Sequence, residues 1–120
     1  MKTDVKMGND KDVGFMQDFM FFLQNAIACE HHCQESYALN KDPYQLELAI
    51  MIRRIRSKWM YRFIKESKNQ IYCENKHLMG MAAASKEMGN RFIESNEKKL
   101  AEECFEESQL YESVFILLNS

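Results

Sequence analysis

Five side chains that can bind a metal or carry a proton occupy little more than one turn of a predicted helix: Cys29, Glu30, His31, His32 and Cys33. Cys29 and Cys33 are four residues apart and therefore share one face of that helix. Thiolates and imidazoles are the ligands that zinc and other soft metals prefer. The two histidines are neighbours about 100° apart around the helix, so only one of them can face a core.

A tetrahedral site would need a further ligand from another helix. In an up-and-down bundle Cys104 is predicted at the height of the Cys29–Cys33 turn, which gives one candidate ligand set: Cys29, Cys33, Cys104 and His32, or Glu30 in place of the histidine. The alternative is that the cysteines fill small spaces in the core, as free thiols commonly do. We favour this alternative, because Cys-x-x-x-Cys on a helix is a weak metal pattern. We therefore predict no cofactor, with zinc or iron at these ligands as the competing hypothesis.

Glu30 lies near the apolar face of its helix. A carboxylate that faces a core must find a partner or take up a proton. Arg53 and Arg54 are predicted at the same height on the next helix. We expect a structural salt bridge between Glu30 and one of these arginines, in preference to a role for Glu30 as a catalytic acid.

A second polar group, Cys73-Glu74-x-x-His77, has the Glu-x-x-His spacing of carboxylate-bridged di-iron sites. Such a site needs the motif on two helices, and Glu30 is predicted roughly 10 Å or more away along the bundle axis. Glu74 and His77 are therefore only a candidate polar site, with His77 expected in a core. The sequence shows no Ser-His-Asp order, no Gly-rich phosphate loop and no pair of catalytic carboxylates. We predict no catalytic residue, which favours a protein that is not an enzyme.

Composition fits one soluble domain. The chain has 120 residues, 46% of them hydrophobic and 28% charged, and a net charge of -2. The polar residues 1–12 are predicted to be disordered and do not resemble a signal peptide, while polar residues interrupt the apolar stretch 15–28 well before a membrane span of about 20 residues. These features predict a cytoplasmic protein with reduced cysteines and no membrane contact.

Helical spacing of apolar residues recurs in four segments of residues 13–120, and no segment alternates with period two. A turn at 40–43, with Asp42 as a helix cap and Pro43 in the first turn, separates the first helix from the second. The second helix carries an apolar stripe at Leu48, Ile52, Ile55, Trp59 and Phe63. The third carries His77, Met81, Ala84, Met88 and Phe92. Short connections then predict an all-α, antiparallel four-helix bundle in a single domain, residues 13–120.

The third and fourth helices carry a more specific spacing. Met88-Gly89 and Phe92 are followed by Ala101, Phe105 and Ser108. Over residues 82–113 this order resembles a tetratricopeptide (TPR) helix pair. The resemblance implies close, TPR-like packing of the two helices. Ser85 and Ser113 depart from the repeat's usual Trp and Pro.

Charge is unevenly distributed along the chain. Segment 41–68 has a net charge of +5 and segment 97–112 a net charge of -4. A basic helix with nearby aromatic residues can attract nucleic acid. A basic and an acidic helix more often complement each other, within one molecule or across a dimer, so nucleic acid is the less favoured partner.

The first helix carries more large apolar residues than one face can hold: Phe15, Met16, Phe19, Met20 and Phe22. A helix that is apolar on several sides must be covered on several sides. We therefore expect a scaffold-like protein-interaction domain that forms a homodimer through these residues. A metal-binding bundle and a nucleic-acid-binding protein are the alternatives.

Overall fold

The computed structural model describes residues 13–65 and 69–119. Four helices make up this part of the chain: α1 (Val13–Asn40), α2 (Pro43–Phe63), α3 (Asn69–Glu94) and α4 (Lys98–Leu118). The predicted all-α, four-helix fold is confirmed, and no strand occurs in the described ranges. The predicted disorder of residues 1–12 lies outside them.

The turn between α1 and α2 forms as predicted. The Asp42 carboxylate accepts a hydrogen bond of 3.1 Å from the backbone N–H of Tyr44, and Pro43 occupies the first turn of α2. The Lys41 N–H donates to the Tyr37 carbonyl at 2.7 Å, and the φ of 58° at Lys41 then turns the following chain out of the helical direction. A two-residue connection of this kind reverses the chain, so α1 and α2 form an antiparallel hairpin.

Helices α3 and α4 form the most extensive contact between any two of the described helices. Small residues allow it: a Cβ atom on Gly89 would lie 2.5 Å from Cε1 of Phe105. The Ser108 hydroxyl donates a 3.0 Å hydrogen bond across the interface to the Ala82 carbonyl. This close approach agrees with the predicted hairpin, while the TPR-like character of the pair stays a prediction.

The hydrophobic core lies toward one end of the molecule. It joins the first half of α1 to the last turn of α2, the middle of α3 and the end of α4, through Met16, Phe19, Met20, Leu23, Met60, Phe63, Ile64, Met79, Ala82 and Phe115. Asn119 closes this end, because its side chain donates to Asn75 at 2.8 Å and accepts the N–H of Lys65 at 3.0 Å. The C-terminal ends of α2 and α4 therefore lie close together.

Away from this core, the four helices form an open array. Extensive contacts join α2 to α1, α1 to α3, and α3 to α4, but no other pair of described helices. The radius of gyration, 16.0 Å, exceeds the value of about 14 Å for a compact domain of this length. Helices α2 and α4 are thus the two edges of the array. In the described part of the chain, no helix has the length and apolar character to cross a membrane.

Two of the predicted apolar stripes are rotated relative to the core. In α2 the inward residues are Ala49, Arg56, Met60 and Phe63, while Leu48 and Ile55 remain exposed. In α3 the inward residues are Asn75, Met79, Ala82, Ser85 and Gly89. The expected stripe of α3, from His77 through Met81 and Met88, faces outward, because the smaller residues face α4.

Candidate interaction surface

The four candidate metal ligands do not come together as a site. Cys33 and Cys104 are buried, whereas Cys29 and His32 are exposed to solvent. Within residues 13–65 and 69–119, no group of three or more His, Cys, Asp or Glu side chains is arranged to hold a metal ion. Burial raises the pKa of the Cys33 thiol, and the charge and hydrogen bond of the adjacent Cys29 raise it further. Cys33 therefore keeps its proton and behaves as a small core residue.

Glu30 does pair with an arginine of α2, but the partner is Arg56 and not Arg53 or Arg54. Both carboxylate oxygens accept 3.0 Å hydrogen bonds from Nη2 of Arg56. Glu30 is 8% exposed and Arg56 only 2%, whereas Arg53 and Arg54 face solvent. The prediction was right in the type of pair and wrong by one helical turn or less, because Arg56 lies on the face of α2 that α1 covers.

The Arg56 guanidinium makes further contacts inside the protein. Its Nη1 lies 3.4 Å from both the Tyr72 hydroxyl and the Met60 sulfur. Tyr72 in turn hydrogen-bonds the Ser57 hydroxyl at 2.9 Å. The Nε atom of Arg56 is buried without a hydrogen-bond partner. This network holds α1, α2 and α3 in register, which is a structural role.

A second polar network joins α1, α3 and α4. It was not predicted from the sequence. The buried Gln24 amide donates to Glu112 at 2.7 Å and accepts from Lys86 at 2.8 Å. Lys86 also pairs with Glu112 at 3.0 Å. Each partner lies on a different helix, so no local sequence signal could have indicated the group.

Beside this network runs a groove of about 830 Å³ between α1 and α3. His31 and His32 both line it and both are exposed, which agrees with the expectation that the two cannot face the core together. His31 lies 3.4 Å from Glu35 one turn away on the exposed surface of α1. Glu74 and His77, the candidate polar site, are likewise exposed and not part of the core.

Most residues of the predicted interaction face on α1 are buried or half-buried against other helices of the same molecule. Met16, Phe19 and Met20 are buried in the core, so they are not available to a partner. Phe15 is half-buried against Phe63, with ring centroids 4.9 Å apart. Phe22 remains 37% exposed, so the other helices of the same molecule cover only part of the hydrophobic excess of α1.

Exposed apolar side chains occur on all four helices, and on α2 several of them form a line. These residues follow one another along the helix, separated alternately by four and three positions, and continue into two cations: Tyr44, Leu48, Met51, Ile55, Lys58 and Arg62. We call these six residues the α2 row. Tyr44 is 79% exposed and Met51 50%, and all six are exposed. Alternating spacings of four and three are those of the seam through which helices of a coiled coil meet.

The α2 row lies beside an aromatic groove of about 440 Å³ between α1 and α2, lined by Phe15, Phe22, Trp59 and Arg62 among others. Lys58 lies over the Trp59 ring at 4.5 Å, and the Arg62 guanidinium lies 5.8 Å from it. Trp59 thereby makes cation–π contacts with both cations of the row, Lys58 and Arg62.

This surface offers exposed apolar side chains and positive charge. Comparison with protein-family models, with curated proteins and with solved structures finds no match.

Proposed function

We propose that this chain is a small helical protein-interaction domain that associates with itself through the α2 row. The observation that carries the proposal is the continuous line of exposed apolar side chains on an edge helix. Monomeric proteins rarely leave such a line in water, because its burial is favourable. A homodimer in the cytoplasm, as expected from the sequence, is part of this proposal.

The apolar part of the α2 row allows an estimate of the free energy that self-association would gain. Tyr44, Leu48, Met51 and Ile55 are each between 38% and 79% exposed. Complete burial of a large apolar side chain contributes about 1.5–3 kcal/mol, so covering these partly exposed groups contributes roughly 4 kcal/mol. Association itself costs a comparable amount or more. The row therefore provides an anchor, and a stable dimer needs further contacts around it.

The test replaces Met51 and Ile55 together by glutamine, and measures mass by sedimentation velocity over a range of protein concentrations. We expect the unmodified protein to reach the mass of a dimer or larger assembly and the double variant to remain a monomer. A matched control replaces Met88 and Ile93 on α3, which are exposed to a similar extent. Circular dichroism checks that each variant remains helical.

Two results would contradict the proposal. One is an unmodified protein that stays monomeric up to high micromolar concentration. The other is a Met51→Gln, Ile55→Gln variant that associates as strongly as the unmodified chain and the α3 control.

A further inference from the structure

Helix α4, the other edge of the array, carries a line of exposed residues of the opposite charge. Its members are separated by three, four, three and four positions: Glu103, Glu106, Leu110, Ser113 and Leu117. We call these the α4 row. All five are exposed, with Leu110 at 60% and Leu117 at 75%. Like the α2 row, this line has the spacing of a coiled-coil seam.

The two rows are ordered in opposite directions. The α2 row begins with four apolar residues and ends with Lys58 and Arg62, whereas the α4 row begins with Glu103 and Glu106 and ends with leucine. Cations meet carboxylates, and apolar residues meet apolar residues, only if the helices run antiparallel. At 1.5 Å per residue the rows span about 27 and 21 Å, so the α4 row can lie along most of the α2 row.

One molecule cannot pair its own two rows. The hydrogen bond from the Lys65 N–H to Asn119 places the C-terminal ends of α2 and α4 together. The basic end of the α2 row is therefore near the apolar end of the α4 row, and no extensive contact joins α2 to α4 in the described chain.

The charges of the rows are also available. In the described residues Glu103 and Glu106 form no ion pair. Lys58 and Arg62 lie over the Trp59 ring, and a cation held over a ring face keeps N–H groups that can still donate to a carboxylate.

We infer that self-association packs the α2 row of one copy, antiparallel, against the α4 row of a second copy. This inference rests on the proposed function and names the partner surface. Lys58 and Arg62 meet Glu103 and Glu106 at one end of the contact. The apolar half of the α2 row covers Leu110 and Leu117 at the other end, which supplies the contacts that the α2 row alone lacks.

Charge reversal tests the pairing. One variant carries Lys58→Glu and Arg62→Glu, a second carries Glu103→Lys and Glu106→Lys, and a third carries all four changes. We expect each double reversal to weaken self-association by about tenfold, since two ion pairs become two repulsions. The fourfold variant should associate like the unmodified chain, and the two double variants should associate with each other when mixed. Added salt should weaken the unmodified assembly.

The outcomes separate the two proposals. If the unmodified chain is monomeric, both the proposed function and this pairing are overturned. Suppose instead that the unmodified chain associates and that Met51→Gln, Ile55→Gln abolishes association. If the double reversals then have no effect, or if the fourfold variant does not recover association, only the α2–α4 pairing is overturned. Restoration in the fourfold variant supports the pairing, because a structural defect would not be cured by two further substitutions.

Discussion

The buried pair of Glu30 and Arg56 provides a quantitative test of how the helices are held in register. Replacing Glu30 by leucine leaves an arginine that is 2% exposed without its carboxylate. Removing one partner of a buried pair typically costs about 3–5 kcal/mol. Arg56 keeps its contacts at 3.4 Å with Tyr72 and Met60, so we expect the lower end of that range.

A loss of about 3 kcal/mol is a large part of the 5–15 kcal/mol that stabilises a typical domain. It should lower Tm by roughly 12 °C in a chain of 120 residues. Urea unfolding followed by circular dichroism and by Trp59 fluorescence measures it, in the Met51→Gln, Ile55→Gln background, so that self-association does not contribute. The Arg53→Met variant, which changes an exposed neighbour, serves as the control and should cost under about 0.5 kcal/mol.

The double variant Glu30→Leu, Arg56→Met completes the cycle. We expect its stability to lie within about 1 kcal/mol of the starting protein, because hydrophobic replacement of both partners also removes the unpaired Nε of Arg56. A single Glu30→Leu variant that loses less than about 1 kcal/mol, or a double variant whose loss is the sum of the two single losses, would refute this account.

Two further results are expected. Exposed Cys29 should react with iodoacetamide in the native protein. Cys33 should react only on unfolding, because it is buried and its pKa is raised. Mass mapping of the labelled cysteines checks this, and equal reaction rates of the two thiols would contradict it. Lys41→Gly should raise the free energy of unfolding by about 0.5–1 kcal/mol, because lysine at a φ of 58° is strained. Asn96→Gly, at a φ of 61°, should change the free energy of unfolding less, because asparagine tolerates that conformation. Thermal melts of the two variants compare them directly, and an equal gain would show that the strain at Lys41 is not residue-specific.

Local sequence signals were sufficient to predict the helices. Asp42 and Pro43 carry the cap and the first turn of α2, and both act as the sequence indicates. The helix type follows from apolar spacing that extends over 20 residues or more, which is a strong signal. These features depend on residues near one another in the chain, and the fold class could therefore be predicted.

The orientation of each helix about its axis could not be predicted in the same way. Hydrophobicity predicts that Leu48 and Ile55 of α2 face the core. Arg56, which pairs with Glu30, faces inward instead, and Leu48 and Ile55 are exposed. In α3, close packing against α4 places Ala82 and Gly89 inward, while Met81 and Met88 remain exposed. Both results depend on a partner helix, so the exposed surface on α2 appears only once the helices are assembled.

The placement of α2 and α4 at opposite edges determines how many copies can assemble. The two rows are different surfaces, so a contact that uses only one row of each molecule is heterologous. A twofold axis that joins both rows at once closes the assembly at two molecules and leaves neither row in water. Any other rotation leaves one row uncovered at each end, so further copies add until a ring closes or a filament grows.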